Sequence, residues 1–110
     1  DFFLALHHNS TGLIRETGAM GLEAYYFEPG SAAFAAALLE GVSSATGRPA
    51  DDAAWNYFYV TRTTLCPAVL FEFGYLVNPA EFEDCIDSAA LQRTADGVAL
   101  GLVSTLSGAA

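Results

Sequence analysis

Residues 67–79 read PAVLFEFGYLVNP, an apolar run that holds a single ionisable group, Glu72. Hydrophobicity that is continuous rather than alternating belongs to a strand covered on both faces, as at the centre of an α/β sheet. The surrounding pattern agrees with such a sheet. DFFLALHH reads as a strand running into the turn-rich NSTG, and LEAYYF, residues 22–27, as a second strand. WNYFYVTR, residues 55–62, is rich in aromatic and β-branched residues and predicts a third strand, with AVLFEF, residues 68–73, the fourth. Between strands two and three, Ser31 is the expected N-cap of a helix in which Phe34, Leu38, Val42 and Ala45 recur at helical spacing until Gly47 and Pro49. Asn78-Pro79 open a short acidic helical turn, and Leu91, Ala95, Val98 and Leu102 mark a last helix from Ser88 to Leu106. Gly97 and Gly101 in that helix are expected to pack closely on the sheet. The pattern predicts a layered α/β domain, its sheet mostly parallel or mixed and flanked by helices on both faces.

Charge narrows the function. Thirteen acidic residues against four basic ones, a net charge of -9, disfavour a phosphate-rich partner, so nucleic acid is not expected. No run approaches the roughly 18 apolar residues that span a bilayer, which predicts a soluble chain, and the opening on Asp1-Phe2 without an initiator Met reads as a cut. Cys66 and Cys85 match no metal or redox spacing and are expected as two buried thiols rather than a disulfide.

Glu72 shares its strand face with Leu70 and Ala68, while Phe71 and Phe73 point the other way. A carboxylate stripped of water must be protonated, paired, near a metal, or at the mouth of a cleft. Gly74 just beyond it favours the cleft, and in open α/β sheets ligands gather outside the carboxyl ends of strands, where His7 also falls. The structural alternative pairs Glu72 with Arg62 or Arg15. Adjacent strand residues point to opposite faces, so only one of His7 and His8 can share a cavity with Glu72.

These residues carry a resemblance. LALHHNS, residues 4–10, resembles the S-[IL]-H-A-N strand and loop of the zinc-dependent N-acetylmuramoyl-L-alanine amidases of the Amidase_3 family. GLEAYYF resembles their G-[IV]-E-[TV]-Y-Y segment, Ser31 to Leu39 the following helix, and PAVLFEFGYLVNPAE their P-A-V-L-[VI]-E-[LT]-G-F-[LI]-S-N-P-x-[ED] segment. The resemblance runs over essentially the whole chain. It implies that His7 is a zinc ligand, that Glu72 is the catalytic acid, and that Asn9 and Asn78 bind substrate or hold loops. The implied reaction cuts the amide between the lactyl group of N-acetylmuramic acid and the L-alanine of the stem peptide. Zinc supplies the activated water that amide hydrolysis needs near neutral pH, and a carboxylate beside an apolar wall shuttles the proton. The implied partner is peptidoglycan and the implied setting the bacterial cell envelope, periplasmic or secreted, for a monomer.

The departures matter too. His8 stands where the family commonly has Ala, and Phe73 and Tyr75 replace its Leu and Phe. The family draws its other zinc ligands, a His and a Glu, from earlier segments, so the chain is expected to be the carboxyl-terminal part of one catalytic domain, residues 1–110, and to bind zinc poorly alone. Glu16, Glu23 and Glu28 are expected to be solvated surface acids rather than substitute ligands. Residues 10–21 leave no room for the helix with which some members plug the zinc site. Two alternatives stay open: a non-catalytic or truncated module that binds peptidoglycan or is a structural remnant, and a metallopeptidase of related architecture, which the Glu72 segment disfavours.

Overall fold

The computed structural model describes residues 1–11 and 20–108. Four strands form one mixed sheet in the order β1 (Phe3–Asn9), β4 (Ala68–Tyr75), β2 (Glu23–Tyr26), β3 (Ala54–Trp55). The apolar run is the interior strand β4, parallel to β1 and antiparallel to β2, while β2 and β3 run parallel. Residues 68–72 of β4 are buried without interruption, the outcome of covering both of its faces. Helix α1 (Ala32–Thr46) buries Phe34, Leu38 and Val42 against Val69 and Phe71, with Val98 and Leu102 of helix α3 (Ser88–Leu106) packed against the same core. The opposite face is approached by a 3-10 turn at Tyr59–Thr61, and the ring of Phe58 meets that of Tyr25 edge-on, with centroids 5.2 Å apart.

Helix ends follow the local chemistry of the sequence. Gly47 closes α1 in a left-handed conformation at φ 72°. The short helix α2 (Pro79–Ile86) begins with Pro79 in its first turn and with the Asn78 side chain accepting the N–H groups of Ala80 and Glu81. Asp87 caps α3 by accepting from Ala90 N at 2.8 Å.

Four expectations need correction. WNYFYVTR is a strand only at Ala54–Trp55; beyond it the buried Thr61 hydroxyl bonds back to the carbonyls of Asn56 and Phe58 and closes a turn. Arg62 stacks over the rings of Tyr57 and Tyr59 in that segment, so side-chain contacts override strand propensity. Ser31 precedes α1 but does not cap it; its hydroxyl accepts the Ala68 N–H at 3.0 Å and ties the helix entry to the start of β4. Gly97 and Gly101 pack on α1 rather than on the sheet: a Cβ on Gly97 would lie 2.5 Å from Val42 Cα, and one on Gly101 2.8 Å from Leu38 Cα. Cys66 and Cys85 are free thiols as expected, but half-buried rather than buried, Cys66 in the bend before β4 and Cys85 on α2. Among the described residues no helix is long and apolar enough to cross a membrane.

Candidate active site

Strand register assembles the site. Across β1, β4 and β2, His7 pairs with Glu72 and Glu72 with Glu23, which places the three residues in one row on one face of the sheet. Ala5 and Leu70 precede His7 and Glu72 on that face, joined from β2 by Tyr25. His8 points to the other side, where its ring lies 5.9 Å from that of Phe73 and it lines a separate cavity of about 290 Å³ with Leu6, Phe73, Cys85 and Val98. Only one histidine therefore shares the face of Glu72, as alternation requires.

Glu72 is 9% exposed. Its Oε2 is buried and has no hydrogen-bond partner among the described residues. Burial raises its pKa, His7 lowers it and Glu23 raises it again. The carboxyl group is thus poised to hold a proton more readily than a surface glutamate. Of the two arginines expected as structural partners, Arg62 is engaged with Tyr57 and Tyr59, and Arg15 lies outside the described residues.

Glu23 is not a solvated surface acid. Its carboxylate accepts the hydroxyls of both Tyr25 and Tyr75, and Asn9 Nδ2 at 3.1 Å. Strict alternation puts Tyr75 on the Phe73 side of β4, away from Glu23. Gly74, at φ 140°, turns the chain, and the register slips between His7 and Asn9 so that Asn9 pairs with Tyr75. That irregularity brings Tyr75 to Glu23. Tyr75 is pushed up to about 12, first by its bond to Glu23 and then by burial, and Tyr25 is raised by burial and the same carboxylate. Of the other proposed substitutes, Glu28 precedes the 3-10 turn at Pro29–Ser31, and Glu16 lies outside the described residues. So do most of the residues (12–19) in which no plugging helix is expected.

Beneath the site lies a second carboxylate that the sequence reading left without a role. Glu81, 3% exposed, accepts the Gly21 N–H through both oxygens at 3.0 and 3.1 Å, the Tyr75 N–H at 2.8 Å, and the guanidinium of Arg48. Asn78, through its cap of α2, sets Glu81 in place. The spacing of Asn78-Pro79 to Glu81 was visible in the sequence, but two of its three partners, Gly21 and Arg48, are distant in it. Signals for Glu23 were fainter: an acid and a tyrosine two apart on one strand.

Does this face suit a zinc ion? The imidazole of His7 is a good ligand, and an unpartnered carboxylate oxygen in its register row suits a water-activating base. Among the described residues there is no group of three His, Cys, Asp or Glu that could hold a metal, so these residues fit one ligand of a set rather than a complete one.

A family profile described as N-acetylmuramoyl-L-alanine amidase, Amidase_3, matches residues 1–104. The chain belongs to this amidase family. Among solved structures it resembles the catalytic domain of CwlV, an N-acetylmuramoyl-L-alanine amidase from Bacillus (Paenibacillus) polymyxa var. colistinus, at 35% identity and a TM-score of 0.86, covering 96% of this chain and 57% of that one. An N-acetylmuramoyl-L-alanine amidase from Clostridium difficile 630 superposes with a TM-score of 0.89 at 27% identity, covering 97% and 58%. AmiC2 of Nostoc punctiforme shares the fold at 23% identity, with a TM-score of 0.86 over 96% and 58%. The chain thus spans a little under three-fifths of the length of these relatives. No curated protein matches the sequence.

Proposed function

We propose that this Amidase_3 chain takes part in zinc-dependent hydrolysis of the amide between N-acetylmuramic acid and L-alanine in peptidoglycan, with Glu72 as proton shuttle and His7 as a zinc ligand. The observation that carries the reading is the unpartnered, buried Oε2 of Glu72 in the same register row as His7. Zinc, when bound, would acidify a water and polarise the scissile carbonyl. Glu72 would take a proton from the attacking water and deliver it to the departing nitrogen as the C–N bond breaks, leaving a lactyl carboxylate and a free L-alanine amine. Its raised pKa suits both halves of that task, because burial lets the carboxyl group hold a proton more readily than a surface glutamate before passing it to the nitrogen. The remaining ligands would come from the part of the relatives' fold that residues 1–110 do not span. Asn9, on the same face, would help to shape the substrate wall, and Asn78 would hold the loop between β4 and α2. The reading places the protein's work in the cell envelope, as a monomer acting on peptidoglycan.

A second reading, a non-catalytic peptidoglycan-binding module, is favoured by one observation: the described residues hold no group of three potential ligands. Zinc content and release of stem peptides from purified peptidoglycan separate the two. In the intact protein, His7→Ala should lose zinc and hydrolysis together, while Glu72→Gln should keep zinc. A protein that binds peptidoglycan but carries no zinc and releases no peptide would sink the hydrolase reading.

A further inference from the structure

We propose that Glu23 is a positioning residue that locks the hydroxyls of Tyr25 and Tyr75 as acceptors for the N–H groups of a peptide running beside Glu72. The proposal rests on the amidase reading for the identity of the peptide, and on hydrogen-bond chemistry for the rest. An ionised carboxylate has acceptors only, so every group that meets it must donate. Tyr25 donates its single proton to one oxygen of Glu23 and Tyr75 donates to the other. Each phenol oxygen then has only lone pairs to offer to anything else. Asn9 is committed in the same sense: Nδ2 donates to Glu23, and Oδ1 accepts the Ser10 N–H at 2.8 Å.

The wall so formed lies next to the candidate proton shuttle, since Glu23 is the register partner of Glu72. It selects by chemistry. Peptide amides supply N–H donors at regular intervals and suit two fixed acceptors, whereas a carboxylate or phosphate would set lone pair against lone pair. Nothing in the wall needs to react, so Glu23 would act on substrate placement rather than on bond breaking. The construction also accounts for Gly74: without its positive φ, Tyr75 would face Phe73 and the wall would lose one of its two acceptors.

The test measures binding of a soluble N-acetylmuramoyl-L-alanyl peptide by calorimetry, in a Glu72→Gln background that prevents turnover, together with steady-state kinetics in the parent background. Glu23→Gln puts an N–H donor where only acceptors stood and frees at least one phenol to rotate. Binding should weaken about tenfold, a factor typical of one good hydrogen bond. In turnover KM should rise by a similar factor while kcat falls by less than about threefold. Tyr25→Phe and Tyr75→Phe should each weaken binding, and adding Glu23→Gln to the double Phe variant should change little, because all three act through one wall. N-methylation of the peptide amides should weaken binding to the parent but not further weaken binding to the double Phe variant.

A Glu23→Gln protein that binds like the parent, or whose loss lies entirely in kcat, would overturn the proposal. If Glu23→Gln fails to fold, the near-isosteric Phe variants and the N-methylated peptide carry the same test. A parent that binds the muramyl peptide without cutting it removes the amidase reading and leaves the wall standing. A parent that cuts it while the Phe variants bind it unchanged removes the wall alone. A parent that does neither removes both.

Discussion

Two buried glutamates lie nine positions apart, and they are used in opposite ways. Glu81 has its carboxylate filled: two backbone N–H groups and a guanidinium converge on it, joining the chain before β2, the end of β4, the loop after α1 and the start of α2. Glu72, scarcely more exposed, keeps a buried oxygen with no partner among the described residues. A carboxylate whose lone pairs are all occupied holds segments together and is a poor proton carrier. One left short of partners costs stability, and that unmet capacity is what a reacting water can use. The difference separates a saturated structural acid from one with an unmet oxygen, the feature on which the proposed role of Glu72 rests.

The contrast can be broken in several ways. The largest effect is expected for Glu72→Gln, which should lower peptide release from peptidoglycan by about three orders of magnitude, within the range of general acid–base catalysis. Folding should survive, as checked by a thermal melt. Activity within a few-fold of the parent would erase the distinction between the two acids. Next is Glu81→Ala, which leaves the Arg48 guanidinium with only the longer Asp84 contact at 3.9 Å, beside two unmet N–H groups, and should cost about 3–5 kcal/mol in urea unfolding. A loss below about 1 kcal/mol would mean that Glu81 is no anchor.

Gly74→Ala should cost about 1–3 kcal/mol of stability from its positive φ alone, the usual range for such strain. Crowding adds to this, since a Cβ there would meet Arg48 and lie 3.0 Å from the Glu81 Cδ. The same variant should return the Tyr75 phenol toward its ordinary titration, read by absorbance of the phenolate, because the tyrosine leaves Glu23. The smallest effect concerns pH. Glu72 binds its proton more tightly folded than unfolded, so its contribution to stability is present in full below the ordinary carboxylate pKa and is lost as pH rises through the raised value. In protein stripped of metal by a chelator, Glu72→Gln should therefore gain on the parent as pH climbs from about 4 toward 8. A gap that does not change with pH would place the carboxylate in water.

Much of this was legible in the chain. The continuous apolar run could only be an interior strand, and alternation alone put Glu72 opposite Phe71 and let one histidine of two join it. Gly47, Asn78 and Pro79 marked helix ends through conformations and hydrogen bonds made within a few residues of themselves. Legibility failed where a residue's partners are remote in the sequence, or where side-chain contacts override the backbone preference of a segment. Ser31 looked like a cap because the Ala68 N–H that claims its hydroxyl is 37 positions away. The aromatic segment after Trp55 looked like a strand because neither the Thr61 back-bonds nor the Arg62 stack follows from propensity. Glu23 looked solvated because the tyrosine that donates to it from β4 arrives only through the turn at Gly74.

The amino-acid sequence by itself determined the α/β layering, the central strand, the helix limits and the face that Glu72 would occupy, since periodicity and capping are short-range properties of the backbone. Tertiary structure alone decided that His7, Glu72 and Glu23 stand in one row, that Gly41, Gly97 and Gly101 bring two helices into contact, and that one buried acid is saturated while the other is not. Register between strands and closure of long loops are collective choices, made by burial of the whole core, and no local window of residues contains them.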